Sequence, residues 1–377
     1  MPAKILLLSG YDAASHRHWR ELLKEKLAHF EWTQLALPGR NFSWRMRGSS
    51  LSFAFGHQEE LEQKYDLLLV TSMVDLAGLR GFVPALAQVP TLIYFHENQF
   101  VYPVSKQQPN LVNAQLTSIY SALCADRIVF NSRYNQQSFL SGAESLLKRL
   151  PDQVPAGLVL QLAQKSSVLP VPIRAVSALE REQQKVVNNK PRPAIVWNHR
   201  WEYDKQPEVF FTALSQLKKA GVDFSLSVVG ESFRNSPACF AEAERDFKDH
   251  IDDFGYQSAE RYRAILTNSD IAVSSALHDF QGLSLQEAIS AGSLPVAPDR
   301  VAYPEYVPER YRYAVSDDPV VEADNLYRKL HQIINESAIP KRGSIEVNAY
   351  CQQQLVPRYD QLFKQMIAQH DRKVHRT

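Results

Sequence analysis

Short apolar runs alternate with amphipathic stretches along the whole chain, and that alternation admits few architectures. The runs are Lys4 to Ser9, Leu67 to Thr71, Thr91 to Phe95 and Arg127 to Asn131, then Ala194 to Asn198, Ser225 to Val229, Ile271 to Ser274 and Leu294 to Ala297. Each suits a strand in length and lacks the polar alternation of a half-wet sheet, so each is expected to be buried on both faces. Strands of that kind separated by helices predict an α/β fold with parallel sheets covered on both sides. The 377 residues, 45% hydrophobic, are enough for two such cores.

The stretch Arg174 to Pro193, rich in charged and amide residues and ending Lys190-Pro191-Arg192-Pro193, breaks the pattern. The organisation expected is therefore a Rossmann-like domain over 1–175, a linker over 176–192, a second Rossmann-like domain over 193–343, and a helical tail over 344–377. The tail carries Val347, Leu355, Leu362 and Met366, a face that can pack back on the first domain, and Asp371 to Arg376 reads as a frayed end. Two doubly wound domains facing a central cleft would bind ligands at the carboxyl ends of their strands.

A formal charge of +1 excludes a generally basic nucleic-acid binder and leaves room for a local basic patch. Cys124, Cys239 and Cys351 are odd in number and widely spaced, which suits a reducing cytoplasm. The run Ile5 to Leu8 is too short for a signal-peptide core or a membrane span, so no membrane association is expected.

One segment points to chemistry. His278-Asp279-Phe280-Gln281-Gly282-Leu283 leaves the strand at Ile271 and opens a helix that runs to Ala291 with Gly292 as its C-cap. Helix-start amides have no intrahelical partners and the helix dipole favours anions, so a diphosphate fits there, with Gly282 allowing close approach. Glu287, about one turn in, can accept from the vicinal hydroxyls of a ribose, and Asp279 would face whatever lies beyond the phosphates. The alternative from spacing alone is a capping aspartate and a solvated glutamate. Arg200 and Lys205, in Trp197-Asn198-His199-Arg200-Trp201-Glu202-Tyr203-Asp204-Lys205, supply positive charge after another strand. No Asp-x-Asp motif occurs, so neither a metal nor any other cofactor is expected. Glu231 and Tyr256, at turns after two further strands, would flank the base and ribose.

The Arg200-x4-Lys205 and Asp279-x7-Glu287 spacings resemble the retaining glycosyltransferases of family 4, with Asp replacing the usual first Glu. A narrower likeness spans most of the chain. Ser15-His16, Trp44-Arg45-Met46-Arg47, Tyr94-Phe95-His96-Glu97-Asn98-Gln99, Val129-Phe130-Asn131-Ser132, Trp197 to Glu202 and Tyr303-Pro304-Glu305 resemble the tRNA-queuosine mannosyltransferases. The first loop, Tyr11-Asp12-Ala13-Ala14-Ser15, departs from the glycine pair usual in that family.

The resemblance implies a GT-B fold and transfer of mannose from GDP-mannose to queuosine at the wobble position of tRNA(Asp), with retention. It makes His96, Arg200, Lys205 and Asp279 the expected catalytic set. Donor contacts are expected from Glu231, Tyr256, Asp279, Phe280, Gln281, Gly282, Leu283 and Glu287. Acceptor contacts are expected from Ser15, His16, Arg45, Arg47, Glu97, Asn98 and Asn131. Arg45 and Arg47 with Phe42 and Trp44 offer the cation and aromatic mixture that unpaired RNA bases call for. Arg17 and Arg20 read instead as a solvated helix face with Trp19 turned inward. Two rival functions remain at this point: the same donor chemistry on a lipid or saccharide acceptor, and a non-catalytic protein that binds modified tRNA.

Overall fold

The computed structural model describes residues 1–101, 111–177, 179–181, 192–233, 236–336 and 343–374. The chain divides into two compact units, one of Met1–Pro172 with Gln353–Thr377 and one of Ile173–Gln352.

In the first unit the elements run β1 (Lys4–Asp12), α1 (Ala14–Lys26), β2 (Glu31–Pro38), α2 (Phe42–Gly56), α3 (Gln58–Leu61), β3 (Leu67–Thr71), α4 (Leu76–Phe82), β4 (Thr91–Phe95), α5 (Leu111–Cys124), β5 (Arg127–Phe130), α6 (Arg133–Leu147), α7 (Leu158–Lys165) and β6 (Ser166–Val168). All six strands are parallel, in the order β2-β1-β3-β4-β5-β6. Every residue of β3 and β4 is buried, as their unbroken apolar runs predict.

The second unit runs β7 (Ala194–Trp197), α8 (Pro207–Lys219), β8 (Ser225–Val229), α9 (Cys239–Asp246), β9 (Ile251–Gly255), α10 (Ala259–Asn268), β10 (Ile271–Val273), α11 (Leu283–Ser290), β11 (Leu294–Pro298), β12 (Arg312–Tyr313) and α12 (Pro319–Asn335). Its parallel order is β12-β11-β10-β7-β8-β9, the doubly wound Rossmann arrangement. The order reverses between β7 and β10, and such a switch point opens a crevice at the carboxyl ends of its two strands. The segments holding Arg200 and Asp279 leave those two ends.

The tail forms α13 (Gln352–Val374) and belongs to the first unit from Gln353 onward. Leu355, Tyr359, Phe363 and Met366 recur at helical spacing and are buried. Tyr359 accepts from the Trp19 indole at 3.1 Å and donates to the Pro170 carbonyl at 3.0 Å. The boundaries differ from the expected 175, 193 and 344. Ile173 pairs with Cys351, and its amide and carbonyl bond the backbones of Tyr350 and Gln352, which ties residues 344–352 to the second unit. Most of the expected linker, residues 178 and 182–191, lies outside the described residues, as do His375 and Arg376 of the expected frayed end; α13 continues to Val374.

Candidate active site

The second unit builds its site from two loops laced together. After β7 the chain passes Asn198 and His199 beneath the turn at Gly230, where an added Cβ would overlap the His199 carbonyl oxygen. Trp201 stacks on Phe240 at 4.1 Å and donates its amide to the Glu231 carbonyl at 2.9 Å, which anchors the loop beside Arg200. A single 3-10 turn, Tyr203–Lys205, then delivers Lys205.

Lys205 is 7% exposed. Its ammonium donates to the His278 carbonyl at 2.7 Å and lies 3.3 Å from Asp204 Oδ2 and 3.7 Å from Asp279 Oδ2. Its own carbonyl accepts from Ser275 Oγ at 2.7 Å. A buried ammonium keeps its charge only with partners of this kind.

Asp279 accepts from the Gly282 amide at 3.0 Å and from the Tyr303 hydroxyl at 3.1 Å. Burial pushes its carboxyl up, but Lys205, His199 and the Tyr303 bond outweigh that and hold it below the ordinary carboxylate range. Tyr303 is driven well above its ordinary value by burial and by the Asp279 charge, so the phenol remains a donor. Asp279 thus caps the turn, as the plain reading of the spacing allowed, and also fixes Lys205. A carboxylate has roughly four acceptor sites, so its two hydrogen bonds leave capacity for a ligand hydroxyl.

Gly282 is the N-cap of α11 with φ 77°, and an added Cβ would overlap the Tyr306 hydroxyl. Beyond it the first-turn amides of Leu283, Ser284 and Leu285 are those an α-helix leaves without intrahelical carbonyls. Glu287 is half-buried rather than solvated, and accepts from the Tyr262 hydroxyl at 2.9 Å. Asn198 donates to Tyr262 at 3.0 Å and to the Ser284 carbonyl at 2.8 Å, which joins the end of β7 to α11. Asn198 and Tyr262 were not anticipated as site residues; Tyr262 sits on α10 with the spacing of a core residue. His199 is buried beside them, 3.3 Å from Ser284 Oγ, and burial followed by the Lys205 charge lowers its pKa to about 4.

Arg200 is exposed and pairs with Glu202 at 2.7 Å. Burial raises the Glu202 carboxyl while Arg200 opposes the rise. Glu231 and Tyr256 are exposed at the ends of β8 and β9. Phe280 and Gln281, expected as donor contacts, both turn their side chains inward, Phe280 edge-on to His278 at 4.4 Å and Gln281 bonded to Gln286 at 2.9 Å. Leu283 is half-buried in the first turn of α11.

In the first unit His96 leaves β4 and is 4% exposed. Its ring stacks on His16 at 3.9 Å and meets Tyr94 and Trp19 edge-on at 4.7 and 5.1 Å. Burial, with smaller contributions from His16 and His18, holds it well below the ordinary imidazole range, so it is neutral. Neither ring nitrogen has a hydrogen-bond partner among the described residues, and the same holds for His16 Nδ1 and Glu97 Oε1. His16 Nε2 and Glu97 Oε2 are 3.2 Å apart. Each unsatisfied buried polar atom costs about 1–3 kcal/mol, a cost that a polar ligand hydrogen-bonded here would offset.

Asn98 and Asn131, expected as acceptor contacts, are bonded within the first unit. Asn98 donates to Asn135 Oδ1 at 2.8 Å and to Ser138 Oγ at 2.9 Å, while Asn131 donates to the His96 carbonyl at 2.8 Å and accepts from Asn135 at 2.8 Å. Both are buried in a network that holds the His96 backbone. Ser15 is half-buried in the first turn of α1. Arg45 is half-buried; Arg47 is exposed and reaches Thr117 Oγ1 at 3.5 Å and Asp75 Oδ2 at 3.6 Å. Arg20 is not merely solvated: its guanidinium grips the Asp12 carboxylate at 2.9 and 2.8 Å, with Arg17 at 3.2 Å.

Among the described residues no group of three or more His, Cys, Asp or Glu is placed to hold a metal ion, and no helix is long and apolar enough to cross a membrane.

Comparison with known proteins agrees with this geometry. Residues 4–173 match the family model described as tRNA-queuosine alpha-mannosyltransferase N-terminal, and residues 179–351 match glycosyl transferases group 1. The chain is 30% identical over 369 residues to the tRNA-queuosine alpha-mannosyltransferase of Drosophila melanogaster, covering 97% of each. Among solved structures it resembles sucrose-phosphate synthase from Thermosynechococcus elongatus, with TM-score 0.70 and 14% identity over 97% of this chain and 99% of that one. It also resembles the starch synthase IV catalytic domain of Arabidopsis thaliana, solved with ADP and acarbose, with TM-score 0.68 and 12% identity over 98% and 100%. At those identities the structural likeness establishes the fold, which is the two-domain α/β arrangement of the GT-B glycosyltransferases. From the full-length similarity to the Drosophila protein and the matching N-terminal model, the chain belongs to the tRNA-queuosine alpha-mannosyltransferase family of glycosyltransferases.

Proposed function

We propose that this chain transfers mannose from GDP-mannose to the cyclopentenediol of queuosine at the wobble position of tRNA(Asp), with retention, in the cytoplasm and without a metal. The observation that carries the reading is the buried Lys205 ammonium, bonded to the His278 carbonyl and set beside Asp279 at the N-terminus of α11. A cation and a row of helix amides in one place match a departing diphosphate.

The chemistry is a front-face displacement. The acceptor hydroxyl oxygen bonds to the anomeric carbon on the face from which the diphosphate oxygen leaves, and the hydroxyl proton passes to a phosphate oxygen. No protein carboxylate then has to act as nucleophile. Lys205 and the amides of Leu283 to Leu285 hold the growing phosphate charge, and Arg200 exchanges Glu202 for phosphate oxygens. Glu287, already aligned by Tyr262, takes the ribose hydroxyls, with Glu231 and Tyr256 flanking the nucleoside. Asp279 gives its remaining acceptor capacity to the mannose, and neutral His96 can donate to and accept from a substrate hydroxyl. His16 and Glu97 orient the acceptor diol from the same cluster, with Ser15 at its edge and Arg45 and Arg47 on the RNA.

Donor choice is tested by offering GDP-mannose, UDP-glucose and ADP-glucose in parallel with queuosine-bearing tRNA and following nucleotide release. Turnover confined to GDP-mannose is expected. Turnover with a uridine or adenosine donor instead would remove the donor assignment and leave the transferase.

A further inference from the structure

Helix α2 lies on the surface with large apolar side chains on its outer side. Its inner side buries Met46, Phe53 and Ala54 together with Ser49 and Ser50, yet its outer side carries Trp44, Leu51 and Phe55, with Trp44 53% and Phe55 64% exposed. Their spacing puts the three on one stripe about 16 Å long. A surface helix ordinarily turns its polar side outward, and large exposed apolar patches mark interaction sites. The patch extends onto neighbouring helices. Phe82 of α4 is 49% exposed with its ring 5.5 Å from Phe55, and exposed Tyr120 stands one turn beyond Thr117, the α5 residue that Arg47 reaches.

The charged residues within α2, α4 and α5 have one sign, although Arg47 lies 3.6 Å from the Asp75 carboxylate at the start of α4. Helices α2, α4 and α5 contain Arg45, Arg47 and Arg80 and no Asp or Glu. Arg80 is turned inward onto the Cys124 carbonyl, which leaves Arg45 and Arg47 to flank the stripe. The nearby carboxylates are Asp75, buried as the N-cap of α4, and Glu59 and Glu60 beyond the end of α2 on α3. A twofold contact with its axis at the arginine end of the stripe would bring the arginines of two copies together. Aromatic rings beside cations suit unpaired bases and their phosphates. The arginine end of α2 also adjoins the acceptor loop: Phe42 meets Tyr11 edge-on at 6.0 Å, and Tyr11 precedes the turn into α1 and His16.

We propose that the outer face of α2, with Phe82 and Tyr120, is a stacking platform for the single-stranded loop of the acceptor RNA beyond the modified nucleoside itself. The proposal rests on the tRNA reading above. Its test is equilibrium binding of the anticodon stem-loop of queuosine-bearing tRNA(Asp) to the full-length protein and to Trp44→Ala, Phe82→Ala and the Trp44→Ala/Phe55→Ala pair, with GDP-mannose binding measured alongside. Because these side chains are exposed, donor binding should persist. RNA affinity should fall roughly tenfold for a lost stacking residue and further for the pair. Equal RNA affinity in wild type and all variants would overturn the proposal while leaving the tRNA reading in place. A wild-type protein that binds no RNA at low or high salt would overturn the tRNA reading, and the platform with it. A wild-type dimer, seen by sedimentation, that the variants dissociate with RNA affinity intact would assign the face to a second copy and also overturn the platform.

Discussion

Lys205 and Arg200 carry the same charge in opposite settings, and their variants should separate catalysis from folding. Lys205→Ala leaves Asp204 and Asp279 buried without their cation, which costs about 3–5 kcal/mol of stability when a buried pair is broken. Arg200→Ala removes an exposed side chain, so its urea midpoint should match wild type while turnover drops at least about a hundredfold. Near-normal turnover in Arg200→Ala would take that residue out of the mechanism. His199 gives a pH signature, since its pKa falls from the ordinary 6.5 to about 4 in the fold. The unfolded chain binds the extra proton, so this contribution is complete above about pH 6.5 and is lost as pH falls toward 4, on the order of 3 kcal/mol in all. His96, lowered for the same reason, adds in the same direction. Urea midpoints taken from pH 7 to 4.5 should decline, and less steeply in His199→Asn; superimposable curves would contradict the assignment. The paired spacings of Arg200 with Lys205 and Asp279 with Glu287 were legible because one short segment carries each. Asn198 and Tyr262 were not, because their meeting with Glu287 depends on a helix that no motif links to it. The interior bonds of Asn98 and Asn131 were not legible for a related reason: a polar residue just past a strand has the same local sequence whether or not it joins an interior network.

At the level of elements, two glycines set the loops that hold these residues. Gly230 meets the His199 backbone carbonyl, which cannot yield without moving the site, whereas Gly282 needs its positive φ and an added Cβ there would press on the Tyr306 hydroxyl and the buried Tyr303 ring, both side chains. Gly282→Ala should therefore cost at least about 1–2 kcal/mol, the ordinary penalty of a left-handed residue with a side chain, and Gly230→Ala, which meets backbone, should cost more. Urea midpoints of the two variants check the order, and a Gly230→Ala protein as stable as wild type would contradict the close packing. The central strands could be read from sequence because burial on both faces writes an unbroken apolar run. The edge strands β2, β6 and β12 could not: β2 is mostly half-buried or exposed, and β6 and β12 have three and two residues. Helix α13 shows its apolar spacing in the sequence, but the point where it leaves the second unit is set by the Ile173 and Cys351 pairing, a contact with no local signal.

On the scale of the whole molecule, each unit has a parallel sheet of six strands, and in each the candidate site residues include some that follow carboxyl ends of strands. The second unit holds the proposed anion site at its switch point between β7 and β10. The first holds the neutral imidazole cluster of His16 and His96 and the aromatic face of α2. Family membership follows from similarity along the full chain, while the donor and acceptor follow from chemistry that can be measured. The most direct test is to incubate the purified protein with GDP-mannose and tRNA from queuosine-containing or queuosine-lacking cells, then to analyse the nucleosides by mass spectrometry. The account predicts one added hexose, on queuosine only, with none in the queuosine-lacking tRNA. A hexose on another nucleoside, or none on queuosine while GDP is released to a different acceptor, would contradict it.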